Sequence, residues 1–343
     1  MALLVLNLGS SSLKAAVFDA AAEQRLWSDS RSGLELTEAL DTWLKPALAP
    51  WWGQLERAGH RVVHGGEVFR EPTPINATTL AQLEALSPLA PLHNPPALEA
   101  MRWLRQQQPL VPQWACFDTA FHATLPEGAY SYAIPLALRS RGYRRFGFHG
   151  LNHQHVARQA AGPRLISVHL GAGCSLAAIA DGRCVDTTMG FTPMEGLVMA
   201  TRSGSIDPGL LLALLKDGMA AAELEEQLNH HSGLAGLSGL SGDWQELRGA
   251  AERGHSGSQL ALAVFLHRLK AGIAAMAASL GGVDQIALSG GIGANDTALA
   301  RQLETEMVWL GKPQWLQIPA DEEGMIARLI SDPEDRGSDA ANG

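Results

Sequence analysis

The sequence has little cysteine, no run of basic residues and no long apolar segment free of charge. Its three cysteines are too few and odd in number for a disulfide framework, so we expect reduced thiols. A net charge of −9 without a Lys/Arg-rich run argues against nucleic acid as a partner. The longest apolar helical candidate, 258–280, carries three basic or titratable residues in its middle, which disfavours a membrane span. The apolar start, 2–6, has no basic region before it and is too short for a signal peptide, so we expect a cytoplasmic protein.

Composition and length indicate a folded protein with two domains. Apolar residues make up 46% of the 343 residues and charged residues 18%, which excludes wholesale disorder. Residues 331–343 are polar and have no periodicity, and we expect this tail to be disordered.

Two segments of the chain have the same hairpin pattern. Apolar runs flank a Gly/Ser turn at 9–12, and a second pair of runs flanks the turn that contains Gly171 and Gly173. With an offset of 162 residues, five of the sixteen positions from Leu4 to Asp19 match the second segment. The match predicts a duplicated domain, with one glycine turn in each copy.

Strand and helix patterns alternate through the rest of the chain, which predicts an α/β fold. We expect Asn94 to cap a helix that begins at Pro95 and ends near Gln107. The other predicted helices are 34–57 with breaks at its prolines, 210–229 interrupted near Gly218, and 258–280; the other predicted strands are 61–64, 113–117 and 285–288.

Three glycine turns follow predicted strands, at 9–12, 171–173 and 290–293. Such turns let backbone N–H groups approach phosphate oxygens, and three of them in one chain favour phosphate binding over ordinary turns. None has the lysine spacing of a P-loop or the spacing of a dinucleotide fingerprint.

Charged or imidazole side chains recur beside glycines and at predicted strand ends. A single one is more often structural, but the group indicates transfer of an anionic moiety. A metal site on His149, His153 and His155 is disfavoured, because Gly150 stands where the helical zinc motif needs glutamate. The group consists of Arg61, His64, His93, Asp118, His149 and Arg202.

Several longer motifs occur in order, and with them the chain resembles the acetate and propionate kinase family over residues 1 to about 330. They are NLGSSSLK (7–14), HRVVHGGE (60–67), APLHNPP (90–96), FDTAFH (117–122), RRFGFHG (144–150), HLGAG (169–173), GFTPMEGLVMATRSGSIDP (190–208) and GGIG (290–293). The resemblance implies the duplicated α/β fold of actin and the sugar kinases, with the active site in a cleft between two lobes. It implies an N-terminal lobe of 1–118 plus about 322–330, and a C-terminal lobe of 119–321.

The resemblance also implies roles for individual residues. Asp118 would be the catalytic carboxylate, and His149 and Arg202 would stabilise charge on the phosphoryl group. Arg61 would bind the acetate carboxylate in an acyl site that also contains Val63, Leu92, His93, Phe148 and Pro193. Asn7 and Glu322 would hold Mg²⁺, with Mn²⁺ as the alternative. The nucleotide would meet Lys14, His169, Leu170, Gly171, Ala172, Gly173, Asp243, Trp244, Gln245, Gly291, Ile292, Gly293, Ala294 and Asn295.

The sequence departs from the family pattern mainly on the nucleotide side. Ala172 replaces the usual asparagine, Gln245 an arginine, Ala294 a glutamate and Ala320 a threonine. The chain is also shorter than usual before HRVVHGG and between residues 304 and 318. These departures bear on nucleotide affinity and the identity of the phosphoryl donor more than on the reaction class.

The leading hypothesis is a kinase that transfers the γ-phosphoryl of ATP reversibly to acetate, giving acetyl phosphate and ADP. Propionate is the alternative acceptor, and pyrophosphate or another nucleotide is the alternative donor. A non-catalytic regulatory paralogue is a third hypothesis, motivated by Ala172 and Ala294. The family resemblance also implies a homodimer.

Overall fold

The computed structural model describes residues 1–9, 12–33 and 35–331 of the chain. Its strands are β1 (Ala2–Leu8), β2 (Ser12–Asp19), β3 (Arg25–Ser32), β4 (Leu55–Val62), β5 (Thr73–Pro74), β6 (Gln113–Phe117), β7 (Arg164–Leu170), β8 (Cys174–Ala180), β9 (Arg183–Thr187), β10 (Gln285–Ser289) and β11 (Gln314–Gln317).

The helices follow in the same chain order, and a π-helical segment, Ala39–Leu44, joins the first two. They are α1 (Leu36–Glu38), α2 (Lys45–Ala47), α3 (Ala77–Leu86), α4 (Asn94–Gln107), α5 (Glu127–Tyr130), α6 (Leu136–Arg139), α7 (Gly150–Gln159), α8 (Pro208–Lys216), α9 (Ala221–His230), α10 (Gly233–Ser238), α11 (Trp244–Glu252), α12 (Ser256–Ser279), α13 (Gly290–Gly293), α14 (Thr297–Glu306) and α15 (Glu322–Ser331). Short 3₁₀ segments are Trp52–Gln54, Ser87–Leu89, Ala120–Thr124 and Val308–Leu310.

The described chain divides into two compact units. The first contains 1–123, 150–155 and 321–331, and the second contains 124–149 and 156–320. The boundary that the family resemblance implied at 118 therefore lies a few residues later, and 150–155, expected in the C-terminal lobe, belong to the first unit. Ser331, expected in the tail, is the last residue of α15, and the rest of that tail lies outside the described residues.

The first unit is built on a six-stranded sheet in the order β3-β2-β1-β4-β6-β5. Leu4 and Leu6 of β1 face a cluster that includes Trp103 and Leu104 of α4. Leu3, Val5 and their neighbours face the other cluster, formed with Met325, Ile326 and Ile330 of α15. The alternation follows from the two-residue period of a strand, and it places helices on both faces of the sheet.

The second unit repeats this topology on a five-stranded sheet in the order β11-β10-β7-β8-β9. Each sheet has an antiparallel three-strand meander, and parallel strands are added beside the first strand of that meander. The offset of 162 residues carries β1 onto β7, so the predicted duplication is confirmed. Of the predicted first turn, Ser10 and Ser11 lie outside the described residues.

Tertiary pairing overrides the predicted helix at its C-terminal end. Residues 55–57, predicted helical, begin β4. Of the strand predicted at 61–64, residues 61 and 62 are the end of that longer strand, and residues 63 and 64 follow it. β4 is paired on both sides, with β1 and β6, so the sheet determines its conformation despite polar residues. Arg57 donates to the Ile330 carbonyl 2.8 Å away, which satisfies its charge at the end of α15. Leu34, the start of the predicted helix, lies outside the described residues.

Helix α4 has nearly the predicted bounds, but Asn94 has a different role. Its side chain accepts from the backbone N–H of His64 at 3.2 Å and donates to the His64 carbonyl at 3.0 Å. Asn94 is almost fully buried and makes no cap hydrogen bond to its own helix. The residue therefore fixes the segment that follows β4.

Among the described residues, α12 is long and apolar enough to cross a membrane, judged by length and composition alone. One third of its most apolar window is buried, and it packs against β7, β8 and β9 of the second unit. A helix that covers a sheet in this way passes the same length and composition test.

Candidate active site

Three of the predicted site residues meet at the carboxyl ends of neighbouring parallel strands in the first unit. Asn7 lies on β1, Arg61 on β4, and Asp118 directly after β6. Arg61 donates through Nη2 to Asp118 Oδ2 at 2.6 Å and through Nε to both carboxylate oxygens at 3.2 Å. Its Nη1 donates to Asn7 Oδ1 at 3.1 Å. The sheet thus places a fixed guanidinium and a fixed carboxylate at one edge.

The Arg61–Asp118 pair is largely withdrawn from water. Burial disfavours the charged guanidinium, but the Asp118 carboxylate outweighs that effect, and the pKa of Arg61 is raised above its ordinary value. Only 1% of the Asp118 side chain is exposed. Since a buried charge left alone is strongly destabilising, the Asp118 carboxylate stabilises the buried guanidinium of Arg61.

An acidic cluster from α15 completes this edge. Asn7 Nδ2 donates to Glu323 Oε1 at 2.6 Å, and the charges of Glu322 and Glu323 both raise the pKa of Arg61. Sequence reasoning chose Glu322 and overlooked Glu323, although the run Asp321–Glu322–Glu323 was visible. Within residues 1–9, 12–33 and 35–331, no group of three or more His, Cys, Asp or Glu side chains is arranged to hold a metal ion.

The remaining predicted residues of the first unit differ in exposure. Val63 is buried directly after β4, and His93 precedes the first residue of α4. Leu92, predicted for the acyl pocket, has 52% of its surface exposed, and Lys14 on β2 is exposed.

In the second unit, His149 and Arg202 come together on Gly173. A Cβ at Gly173 would lie 2.9 Å from Arg202 Nη2 and 3.1 Å from His149 Nε2, so an added side chain would crowd both residues. His149 Nδ1 lies 2.9 Å from Ser175 Oγ, and its ring lies 4.4 Å from that of His169. His149 itself adopts the left-handed conformation, φ +56°, which is uncommon for a residue other than glycine.

Arg202 is held from the other side by the segment that carries Pro193. Its Nη1 donates to the Pro193 carbonyl at 2.7 Å. Burial lowers its pKa, and no carboxylate is among the charges that act on it. An arginine paired with a carbonyl keeps its positive charge available to an anion. Phe148 and Ser175 are buried in the same unit.

Two glycine segments lie side by side next to this group. Gly171 N–H donates to the Gly173 carbonyl at 3.0 Å, and a Cβ at Gly171 would come within 3.9 Å of the Gly291 nitrogen. Gly290 has φ +80°, and a Cβ there would lie 2.4 Å from the Leu170 carbonyl oxygen. The predicted turn at 290–293 is in fact one helical turn, α13. The first N–H groups of such a turn have no partner within it, and the Gly291 nitrogen is the one that lies near Gly171.

A cleft of about 870 Å³ opens next to these glycines. Eight of the predicted nucleotide residues line it: Gly171, Ala172, Asp243, Trp244, Gln245, Gly291, Ile292 and Asn295. Leu170 and Gly293 are buried, and with His169, Gly173 and Ala294 they are outside its lining. Sequence reasoning missed Ala200, Gly242, Arg248, Gly249, Glu252, Asp296, Thr297 and Ala298.

One face of α11 forms a wall of the cleft. Arg248, Gly249 and Glu252 follow Gln245 at three, four and seven residues, so a helical period started at Gln245 would have found them. Arg248 Nη1 donates to Asp296 Oδ2 at 2.6 Å, and the Trp244 indole donates to the same oxygen at 2.7 Å. Burial opposes ionisation of Asp296, but these donors and the Leu299 N–H lower its pKa overall. The cleft therefore contains Arg248, although position 245, where the family usually has arginine, is a glutamine.

The sequence comparisons agree with this geometry. The model of the acetokinase family matches residues 29–314. The chain belongs to the acetokinase family. It is 49% identical over 273 residues to an acetate kinase of Synechococcus sp. (strain JA-2-3B'a(2-13)), a match that covers 77% of this chain and 68% of the relative. It is 41% identical to an acetate kinase of Deinococcus radiodurans, with 95% and 96% covered.

Solved structures lead to the same family. A propionate kinase from Francisella tularensis superposes with a TM-score of 0.88 at 33% identity, covering 96% of this chain and 98% of that one. The acetate kinase of Porphyromonas gingivalis superposes with a TM-score of 0.87 at 32% identity, covering 95% and 98%. A putative N-acetylmannosamine kinase from Listeria monocytogenes, at 14% identity and a TM-score of 0.53, shares the fold alone. The predicted fold class, that of actin and the sugar kinases, is confirmed.

Proposed function

We propose that this chain is an acetate kinase, which transfers the γ-phosphoryl group of ATP reversibly to the carboxylate of acetate. The bond between the γ-phosphorus and the β-phosphate oxygen breaks, and a bond from an acetate oxygen forms, giving acetyl phosphate and ADP. Acetate is already an anion at neutral pH, so no base has to remove a proton. The observation that carries the proposal is the meeting of His149 and Arg202 on Gly173, beside the glycine segments. Two donors there suit a transferring phosphoryl group.

The first unit supplies the proposed acyl site. Arg61 presents a fixed guanidinium, which suits a carboxylate in two-point contact, and Asp118 holds it in place. Within this unit, Val63, Leu92 and His93 are the proposed lining of the acyl pocket. Because catalysis of this reaction rests on positioning and charge neutralisation, these residues have no covalent chemistry to perform.

A nucleotide is the proposed phosphoryl donor. A volume of about 870 Å³ lies within the range of roughly 300–1,000 Å³ that is usual for small-molecule pockets and exceeds what pyrophosphate would fill. The backbone N–H of Gly291, in the first turn of α13, suits a phosphate oxygen. Pyrophosphate stays the alternative donor because Ala172, Gln245 and Ala294 lack the family's polar side chains.

Mg²⁺ is the proposed cofactor, with Mn²⁺ as the alternative. The oxygen donors of Asn7, Glu322 and Glu323 fit a hard cation such as Mg²⁺, which usually keeps waters and substrate phosphates as further ligands. When bound, the ion would neutralise charge on the nucleotide phosphates. Arg61 holds the Asn7 side-chain oxygen in place for it.

A homodimer in the cytoplasm is the proposed state of the protein, with neither nucleic acid nor membrane as partner. The support for the dimer is α8, which has five leucines among nine residues and no buried residue. Leu210 and Leu212 are about half exposed. An apolar helix of this kind favours cover by another protein surface, and a second copy of the chain is the proposed cover.

The decisive experiment is detection of acetyl phosphate as its hydroxamate in the presence of ATP, Mg²⁺ and acetate. Propionate replaces acetate, and pyrophosphate replaces ATP, in parallel reactions. We expect acetate with ATP to give the highest kcat/KM. Faster reaction with propionate or pyrophosphate would replace the substrate assignment. The absence of product with every pair, from a folded and nucleotide-binding protein, would favour the regulatory paralogue instead.

A further inference from the structure

A carboxylate outside the predicted site joins the two segments that carry the second unit's catalytic candidates. Glu195 accepts a hydrogen bond from Arg145 Nη2 on Oε1 at 2.7 Å. The Tyr132 hydroxyl donates to its Oε2 at 2.5 Å. Both carboxylate oxygens are thus used by side chains that come from before α7, some 50 or more residues earlier in the chain.

Tyr132 and Arg145 also bind the backbone around Glu195. Arg145 Nη1 donates to the carbonyls of Thr187, Thr188 and Met189 at 3.1, 2.9 and 3.1 Å. The Tyr132 hydroxyl accepts from the Phe191 N–H at 2.8 Å. The segment from the end of β9 to Glu195 is therefore held at both ends by one network.

The network leaves no spare volume. A Cβ at Gly190 would lie 1.7 Å from Glu195 Oε2 and 2.2 Å from the Tyr132 hydroxyl. Burial and the neighbouring Glu195 raise the pKa of Tyr132 above its ordinary value, although Arg145 opposes this. The phenol therefore stays protonated and keeps donating to Glu195 at physiological pH.

Two hydrogen bonds lead from this network to the candidate catalytic groups. The Pro193 carbonyl, two residues before Glu195, accepts from Arg202 Nη1 at 2.7 Å. The Gly190 carbonyl accepts from the Phe146 N–H at 3.0 Å, and this bond anchors the segment that ends at His149. Arg202 and His149 in turn meet on Gly173.

We propose that Glu195, together with Tyr132 and Arg145, is a positioning residue that sets the orientation of Arg202 and His149 for phosphoryl transfer. The expected effect on kcat rests on the proposed function, whereas the effect on the orientation of Arg202 and His149 does not. A displacement of about 1 Å at catalytic groups is enough to lower a rate by about a hundredfold. None of the three residues needs to touch the substrate.

The test compares Glu195→Gln and Tyr132→Phe with the wild-type enzyme. We expect Glu195→Gln to lower kcat by about tenfold to a hundredfold, with the KM for ATP unchanged, because the nucleotide cleft does not include this network. Asp284→Asn is the matched control. It neutralises a carboxylate that pairs with Arg164 at 2.6 Å in the same unit, and we expect an unchanged kcat. An equal fall in the control, or a rise in the KM for ATP with kcat unchanged, would overturn the proposal.

A second measurement separates positioning from a general structural effect. In an Arg202→Ala background, Glu195→Gln should lower kcat by much less than in the wild type, since the group it orients is gone. A full additional effect there would contradict the proposal.

A third readout does not need activity. The NMR signal of the His149 ring, assigned by its loss in His149→Gln, should shift in Glu195→Gln and stay in place in Asp284→Asn. If the wild type makes no acetyl phosphate but the His149 signal shifts, the proposed function fails and the positioning role stands. An unmoved signal rejects the positioning role.

Discussion

At the scale of single residues, the buried pairing of Arg61 with Asp118 changes what a substitution at Arg61 measures. Removal of the guanidinium would leave Asp118 charged and buried, a change that typically destabilises a fold by about 3–5 kcal/mol. A loss of activity in Arg61→Ala would therefore report on stability as well as on substrate binding. A variant that keeps the positive charge is the better probe of binding.

Arg61→Lys should raise the KM for acetate by tenfold or more and keep most of the stability, because an ammonium keeps the charge but lacks the planar fork. Steady-state kinetics at saturating ATP, together with thermal unfolding, check the prediction. Arg57→Lys on the same strand is the control, since Arg57 donates to a backbone carbonyl at the end of α15. An unchanged KM for acetate in Arg61→Lys would remove Arg61 from the carboxylate site.

Arg248→Ala should weaken nucleotide binding and leave the KM for acetate unchanged. The substitution removes the arginine of the cleft and exposes the nucleotide phosphates to Asp296, which then lacks its cationic partner. A lost charged hydrogen bond is worth about 1.5–3 kcal/mol, or roughly tenfold to a hundredfold in affinity. Titration with ADP measures the effect. Arg301→Ala, on an exposed position of α14, is the control, and equal losses in both variants would argue against a specific role.

His60 should make the protein less stable in mild acid. Burial lowers its pKa to about 4, although its hydrogen bond with Gln113 opposes the shift. Between pH 6.5 and 4 the unfolded chain therefore takes up a proton that the folded chain does not, so the free energy of unfolding falls by about 3 kcal/mol as the pH drops. Urea unfolding at pH 7 and pH 4.5 should show a smaller difference for His60→Gln. An equal difference in the variant would mean that other groups cause the acid sensitivity.

At the scale of elements, α4 shows how a tertiary contact replaces a local one. Asn94 has the sequence position of a helix cap, yet its amide pairs with both backbone groups of His64 in the segment after β4. This segment carries Val63 of the proposed acyl site. The first residue of α4 therefore holds the backbone next to Val63 in place.

Asn94→Ala should destabilise the protein by more than the loss of an ordinary cap, about 1–3 kcal/mol for each buried group left unpaired. Asn76→Ala is the matched control, because Asn76 caps α3 through the Thr79 N–H, and its loss should cost about 1 kcal/mol. Chemical denaturation of both variants gives the comparison. Equal losses in the free energy of unfolding of the two variants would mean that the Asn94 contacts contribute no more than an ordinary helix cap.

At the scale of the whole molecule, the exposed leucines of α8 favour association with a second copy of the chain through this helix. Leu212→Asp should convert a dimer to a monomer, since it buries a charge in an apolar contact. Light scattering coupled to size-exclusion chromatography measures the mass. Leu110→Asp, at the most exposed leucine among the described residues, should leave the mass unchanged. A wild type that is monomeric at micromolar concentration would refute the proposed dimer.

The duplication and most of the elements could be read from local patterns. The two hairpins, the break near Gly218 and the long helix α12 depend on period, turn residues and caps, all of which act within a few residues. The departures at Ala172 and Gln245 were also visible, because residue identity needs no coordinates.

Only the tertiary structure determined the contacts between residues that are distant in the chain. β4 is a strand because it has β1 and β6 as neighbours, although its polar residues suggested otherwise. Three such contacts join side chains that are 48 or more residues apart: Glu323 with Asn7, Arg248 with Asp296, and Glu195 with Tyr132 and Arg145. Motifs and periodicity report local geometry, whereas these pairings depend on how strands and loops are arranged in three dimensions.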